Sequence, residues 1–267
     1  MKEWFIYPAS FFNDKFHCIM EWELVTIVAN SNSWKTTFAM DIIQANERLG
    51  KRWFYINLEF AIETMWQGRW LWLNWKTKEA LTDLAPLTEE ENTRMQEYVK
   101  KKLSQFDYYN NANWIELEDL IKLIQLKQLE WYKLFVVDTF SRIHWNLDSW
   151  TARTSQNKCM EQLQSLAQQL WIAIIMLHHT NRTWTREWSQ KIMDLSNVFI
   201  MIEKDEDWEE EQYRRYKLMK DKYVEDTEVE SYYRWGLYIN WDDYAKFHHY
   251  GEEYALKTNQ ILDTDIV

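Results

Sequence analysis

Lys35 and Thr36 carry the chemistry most directly legible in this chain. They close the stretch Ala29-Asn-Ser-Asn-Ser-Trp-Lys-Thr-Thr37, which follows the apolar run Leu24–Ala29 and leads into Phe38-Ala-Met-Asp-Ile-Ile43. A strand, a loop and a helix in that order are the setting of a phosphate cradle with the pattern G-x-x-x-x-G-K-[ST]. There, backbone N–H groups hold phosphates, the lysine reaches the terminal phosphates and the hydroxyl ligates Mg²⁺. Ala29, Asn30, Ser31, Asn32, Ser33, Trp34, Lys35, Thr36 and Thr37 are therefore the candidate nucleotide-binding residues, and Thr36 is a candidate metal ligand. One residue is out of place. Trp34 stands at the second glycine, where the backbone must approach the nucleotide closely and an indole obstructs it.

Further polar groups end apolar runs. Glu59 follows Arg52–Leu58, Asp138 ends Leu134–Asp138, and His178 and His179 follow Ile172–Leu177. Nucleotide hydrolysis needs a phosphate cradle, a metal-associated carboxylate, a base or water-positioning group, and a sensor of the γ-phosphate. Each residue alone has a plainer reading, since an Asp ending a strand is more often a turn residue and a His pair more often structural. Their conjunction, in chain order, carries the functional reading. Glu59, Lys35 and His179 are the candidate catalytic residues, and Asp138 joins Thr36 at the metal.

Composition accounts for Trp34. A protein of this length carries roughly 19 glycines on average. This one has 4 Gly and 18 Trp, so the two together approach an ordinary glycine count with a few real tryptophans mixed in. Trp22, Trp34, Trp131 and Trp171 sit where glycine chemistry is wanted, beside strands and helix ends, and Trp145 and Trp150 sit in a polar loop. We read most of these Trp as UGA codons that the source organism translates as glycine. The alternative, a Trp-rich protein using indoles as core or as base-stacking platforms, leaves the missing glycines unexplained.

The net charge of −11 argues against coating nucleic acid by bulk charge, so any such contact must be local. Glu203 to Gln212 holds seven acids and one Lys and reads as a solvated loop, whereas Tyr213 to Lys222 holds five basic residues and one Asp and reads as an exposed or interface strand. A weaker basic segment, Thr180 to Lys191, reads as a loop and supplies Arg182, Arg186 and Lys191 as candidate nucleic-acid contacts. Cys18 and Cys159 are isolated, which argues against a disulfide framework or a zinc site. No run approaches a membrane span, and no basic segment followed by an apolar one opens the chain, so a cytoplasmic protein without a membrane partner is expected.

Positioning those residues requires alternating strands and helices. Thr88-Glu-Glu-Glu91 is a capping box opening a helix to about Phe106. Glu116–Glu130 and Gln156–Leu170 have helical apolar spacing. Val198–Ile202 and segments at about 214–220 and 229–239 extend the sheet. Continuous apolar strands joined through helices predict an α/β fold, a mainly parallel sheet covered on both faces, with ligands at the carboxyl ends of its strands. One domain over residues 1–250 is expected, with a less regular C-terminal tail at 251–267.

With glycine restored at Trp34, Ala29 to Thr37 resembles the Walker A loop of the RecA-like ATPases, most closely the replicative-helicase (DnaB-like) branch, which also uses alanine at the first motif position. Ile56-Asn-Leu-Glu-Phe60 resembles that family's strand ending in the catalytic glutamate, and Phe135-Val-Val-Asp138 its Walker B strand. His178-His-Thr-Asn-Arg182 resembles the sensor segment, with His179 at the γ-phosphate-sensing position. Arg186 to Asp194 resembles the following R-x-G-S-x-x-I-x-x-D segment, with Trp188 at a glycine. Lys220-Asp-Lys222 resembles the K-x-R element that reaches a neighbouring subunit's nucleotide, although Lys222 replaces the arginine and an ammonium cannot make a bidentate contact.

The resemblance covers roughly residues 20–240. It implies a RecA-like sheet with a C-terminal antiparallel extension, ATP and Mg²⁺ as ligands, Lys220 and Lys222 as further nucleotide contacts, and a homo-oligomeric ring or filament. Helicase loading and primase partnership are not carried over, because no counterpart of the full helicases' separate N-terminal domain precedes the match. Three classes of function follow: a DNA-associated ATPase of helicase or recombinase type, an ATPase that remodels a protein partner, and a non-hydrolysing interaction protein if Trp34 is genuine.

Overall fold

The computed structural model describes residues 4–30, 34–74, 76, 78–81, 86–144, 152–179, 186–204, 213–221, 223–234 and 237–240. Ser31, Asn32, Ser33, Trp145, Trp150, Arg182, Lys222, most of the acidic run and the tail at 251–267 lie outside the described residues.

A short N-terminal unit, β1 (Trp4–Phe5), α1 (Ser10–Phe16) and β2 (Ile19–Met20), leads into β3 (Leu24–Ala29), whose six residues are all buried. Lys35 opens α2 (Lys35–Glu47), followed by β4 (Trp53–Asn57) and α3 (Ile62–Leu73). Then come α4 (Glu89–Gln105), the short strands β5 (Tyr108–Asn110) and β6 (Ile115–Glu116), and α5 (Leu117–Leu129). The capping box is present with both bonds: Glu91 N–H donates to Thr88 Oγ1 at 3.2 Å and Thr88 N–H to Glu91 Oε2 at 3.0 Å. The chain continues through β7 (Leu134–Asp138), β8 (Ile143–His144), α6 (Ala152–Leu170), β9 (Ala173–His179) and α7 (Arg186–Leu195). It closes with β10 (Val198–Glu203), β11 (Tyr213–Lys220), β12 (Thr227–Arg234) and β13 (Leu237–Asn240).

Nine strands form one sheet in the order β13-β12-β11-β10-β3-β9-β7-β4-β5. The six from β10 to β5 are parallel, and β11, β12 and β13 extend the sheet antiparallel. Strands covered on both faces read as continuous apolar runs, which is why they were visible in the sequence. One face packs Val25, Ile27, Tyr55 and Val136 against Phe38, Trp66 and Val99 of α2, α3 and α4. The other packs Leu24, Val28, Phe54 and Val137 against Ile124, Leu163 and Ile192 of α5, α6 and α7.

Three expectations need correction. The segment near 229–239 is two strands, β12 and β13, because Tyr233 pairs antiparallel with Tyr238. The loop expected over Thr180–Lys191 becomes helical at Arg186, since buried Ile192 with Met193 and Leu195 gives α7 an apolar face to cover. The basic strand is not exposed. β11 lies between β10 and β12, and Tyr213, Arg214, Tyr216 and Leu218 are buried.

Seven of the described tryptophans fall into two kinds. Trp53, Trp66 and Trp70 are buried core residues. Trp22, Trp34, Trp131 and Trp171 have φ of 82°, 67°, 70° and 52°, the left-handed region in which a bulky residue is an outlier. Each occupies a glycine's station. Glu23 N–H bonds back to Met20 C=O at 3.2 Å with the positive φ at Trp22, the pattern of a type II turn. Past α5, Trp131 N–H bonds to Gln128 C=O at 2.9 Å and Tyr132 N–H to Lys127 C=O at 3.3 Å, which is a Schellman cap with Trp131 at its left-handed position. Past α6, Ile172 N–H bonds to Ala167 C=O at 3.1 Å around Trp171 in the same way. The identical cap past α2, with Lys51 N–H to Asn46 C=O at 3.1 Å, holds a true glycine, Gly50, at φ 72°. Trp131 is 75% and Trp171 50% exposed, so these indoles gain little burial in return for their strain.

Candidate active site

The sheet register brings the strand-end groups level. Ala29 is opposite His179, Leu177 opposite Asp138, and Asp138 opposite Asn57, so β3, β9, β7 and β4 end at one crevice. That crevice lies beyond the carboxyl ends of parallel strands, the usual ligand position in such sheets. α2 starts there, with Trp34 at its N-cap and Lys35 and Thr36 as its first residues.

Two clusters form in the crevice. In the first, Lys35 Nζ lies 3.0 Å from His179 Nδ1 and 2.9 Å from Nε2, and His179 Nε2 lies 2.9 Å from Glu59 Oε1. One ring proton satisfies both partners if Nε2–H donates to Glu59 and Nδ1 accepts from Lys35. In the second, Asp138 is fully buried, and its Oδ2 accepts from Thr36 Oγ1 at 2.7 Å and from Tyr55 OH at 2.7 Å. Asn57 shapes the turn into the glutamate, since its Nδ2 donates to Phe60 C=O at 2.5 Å and to Asn110 Oδ1 at 2.6 Å, and its Oδ1 accepts from Glu59 N–H at 3.3 Å.

The electrostatics follow from this packing. The hydrogen bond from His179, with Lys35 nearby, holds the Glu59 carboxyl below its usual range and therefore ionised. Burial lowers Lys35, opposed by Asp138 and Glu59. Burial raises Asp138, opposed by Lys35 and by the hydroxyls of Tyr55 and Thr36.

Mg²⁺ fits these residues. A hard cation takes oxygen ligands and commonly keeps waters, with only one or two protein ligands beside substrate phosphates. Thr36 and Asp138 are oxygen donors of that kind, and Asp138 Oδ1 is a buried oxygen without a hydrogen-bond partner among the described residues. No cluster of three His, Cys, Asp or Glu suited to a metal occurs among the described residues.

The remaining candidates fall elsewhere. Lys220 Nζ donates to Met193 C=O at 3.0 Å and Asp194 C=O at 2.7 Å, closing the end of α7 rather than reaching the crevice. Arg186 and Lys191 both belong to α7, with Lys191 exposed. Three residues at the crevice are not among the candidates read from the sequence: Tyr55, Asn57 and Arg214, whose buried guanidinium lies 4.5 Å over the Trp34 ring. Their positions depend on which strands become neighbours, and no motif encodes that. Cys18 and Cys159 are free thiols, and no helix among the described residues is long and apolar enough to cross a membrane.

Beneath the site, His178 is held neutral, its pKa pulled down to about 4 chiefly by burial. An unfolded histidine titrates near 6.5, so the unfolded chain binds the extra proton between those values. This contribution is complete above about pH 6.5 and is lost as pH falls toward 4, by roughly 3 kcal/mol. Chemical denaturation of the parent and His178→Gln across that window should show a shallower slope in the variant. Parallel profiles would mean that the imidazole titrates normally.

No protein-family profile matches the chain, and no curated protein matches it in sequence. Its three-dimensional structure does match. An isolated ATPase domain superposes with a TM-score of 0.67 at 12% identity, covering 82% of this chain and 85% of that one. A DnaB-like replicative helicase, solved in a study of its interactions with primase, superposes with a TM-score of 0.68 at 10% identity, covering 82% of this chain and 57% of that one. The chain has the RecA-like fold of the ATPase domains of DnaB-like replicative helicases.

Proposed function

We propose that this chain is a Mg²⁺-dependent ATPase acting on single-stranded DNA, a relative of helicases and recombinases, with glycine at position 34 of the native protein. The observation that carries this reading is the convergence of Lys35, Thr36, Glu59, Asp138 and His179 on one crevice, through hydrogen bonds of 2.7 to 3.0 Å. Lys35 and the amides of the loop hold the phosphates. Thr36 and Asp138 would hold Mg²⁺, which would supply charge neutralisation for the phosphoryl oxygens. Glu59 orients the attacking water and accepts its proton, and it is suited to that because it is kept ionised at the crevice. His179 lies between Lys35 and Glu59, so a γ-phosphate that engages Lys35 must rearrange it, and its strand leads toward α7 with Arg186 and Lys191.

RecA-like sites commonly lie between subunits, so we propose a ring or filament in which the Lys220-Asp-Lys222 element serves a neighbour's nucleotide, with Lys220 having to leave the carbonyls that end α7 to do so. The direct test is ATPase rate with and without single-stranded DNA, measured on the form with glycine at position 34. Stimulation by DNA supports the reading. Turnover indifferent to DNA favours an ATPase that remodels a protein partner, and no nucleotide binding favours a non-hydrolysing interaction protein.

Binding to the DNA strand itself should be weak. Arg182, Arg186 and Lys191 offer only local phosphate contacts on a chain of net charge −11. Affinity for a labelled oligonucleotide is therefore expected to fall steeply with salt and to rise with a non-hydrolysable ATP analogue. Salt-independent binding, or none in any nucleotide state, would remove the DNA reading.

A further inference from the structure

Tyr55 lies outside the phosphate loop and the strand-end acids, yet its hydroxyl reaches Asp138. The two residues occupy neighbouring parallel strands, with Tyr55 level with Val136 and Asn57 level with Asp138. Tyr55 and Asp138 therefore share one face, offset by one two-residue step of roughly 6.6 Å, about the reach of a phenol. Tyr55 OH donates to Asp138 Oδ2 at 2.7 Å, and both residues are 0% exposed. Thr36 donates to the same oxygen at 2.7 Å, while Oδ1 is buried without a hydrogen-bond partner among the described residues. An ionised carboxylate accepts on both oxygens. Here two donors occupy one oxygen and leave the other open.

The ring alone does not explain the residue. Its centroid is 5.6 Å from that of Phe106, inside the core packed on α3 and α4, where phenylalanine would fill the same space. A buried hydroxyl is unfavourable without a partner, and this one has a charged acceptor.

Resting on the ATPase reading, we propose that Tyr55 is a positioning residue of the Mg²⁺ site. Its phenol fixes the Asp138 carboxylate in one orientation, with Oδ2 saturated and Oδ1 reserved for a water of the hydrated cation. Partners that orient a metal ligand typically change metal affinity or activity by roughly 10–100-fold when removed.

The experiment is Tyr55→Phe in the full chain carrying glycine at position 34, followed by thermal unfolding with ADP, first in EDTA and then across a Mg²⁺ titration. ADP without metal should shift the unfolding midpoint equally in parent and variant. The half-saturating Mg²⁺ concentration should rise roughly 10–100-fold in the variant. A normal ADP response with an unchanged Mg²⁺ requirement overturns the Tyr55 assignment alone. A parent that responds to neither ADP nor Mg²⁺ overturns the ATPase reading and the assignment with it. A second measurement keeps the hydroxyl: fluorine NMR of a fluorotyrosine at position 55 should show its resonance move when Mg²⁺ joins bound ADP. A resonance blind to Mg²⁺ also overturns the assignment.

Discussion

Replacing Trp34 with glycine is expected to turn a chain that binds Mg²⁺-ATP poorly and does not hydrolyse it into one that does both. At φ 67° and ψ 17°, residue 34 is the left-handed N-cap of α2, immediately before Lys35 and Thr36. A phosphate cradle needs successive N–H groups aimed at the ligand and a chain free to turn into the helix, which a residue without Cβ allows. The indole adds bulk at that closest approach, and its face is occupied by the buried Arg214 guanidinium. Left-handed backbone costs a side-chain-bearing residue about 1–2 kcal/mol. Glycine at Trp22, Trp131 and Trp171 should therefore relieve strain at sites remote from the crevice. The comparison is a titration of both purified forms with a fluorescent ATP analogue, followed by phosphate release, with Trp22, Trp131, Trp171 and Trp188 also made Gly in a third form. Equal binding and equal turnover by all forms would sink the glycine reading and the assignment of this loop together. Intact mass of the protein from its native source provides an independent check, because every Trp→Gly removes mass.

The sequence disclosed most where burial is symmetrical. β3 and β7 are wholly buried, so they read as apolar runs on both faces, broken in β3 only by Thr26, whose hydroxyl pairs with that of Ser196, and the runs end at Asn30 or Asp138. The strand-end chemistry was legible for the same reason. The glycine stations were legible through their neighbours: the end of α5 and the end of α6 each call for a left-handed cap. Short edge elements such as β5 and β6 carry too few residues for a period. The break between β12 and β13 was hidden because residues on both sides favour strand. The network at Asp138 was illegible for a different reason. It arises from the register of β4 against β7, two strands far apart in sequence, and neither strand alone specifies that register.

Glu59→Gln is expected to lower turnover about 10²–10⁴-fold while leaving nucleotide affinity nearly intact. The amide keeps the shape of the carboxylate, and its Oε1 still accepts a hydrogen bond from His179 Nε2, which in the parent lies 2.9 Å away. His179 therefore keeps its partner and Lys35 keeps its contact with His179, so the phosphate-binding side of the crevice is unchanged. What the variant loses is the ability to accept a proton. The pull of His179 and Lys35 keeps the parent carboxylate ionised, available as a base throughout the neutral range and only weakened when pH falls below the ordinary carboxylate values. Phosphate release and analogue binding should be measured on the same preparations with glycine at position 34. A loss of both would indicate a collapsed site rather than a missing base. Turnover near the parental rate would place the base elsewhere in the crevice and reduce Glu59 to a tether for His179. Loss of turnover with retained binding is the signature expected of a water-activating carboxylate, because only the step that moves a proton distinguishes Glu from Gln at this position.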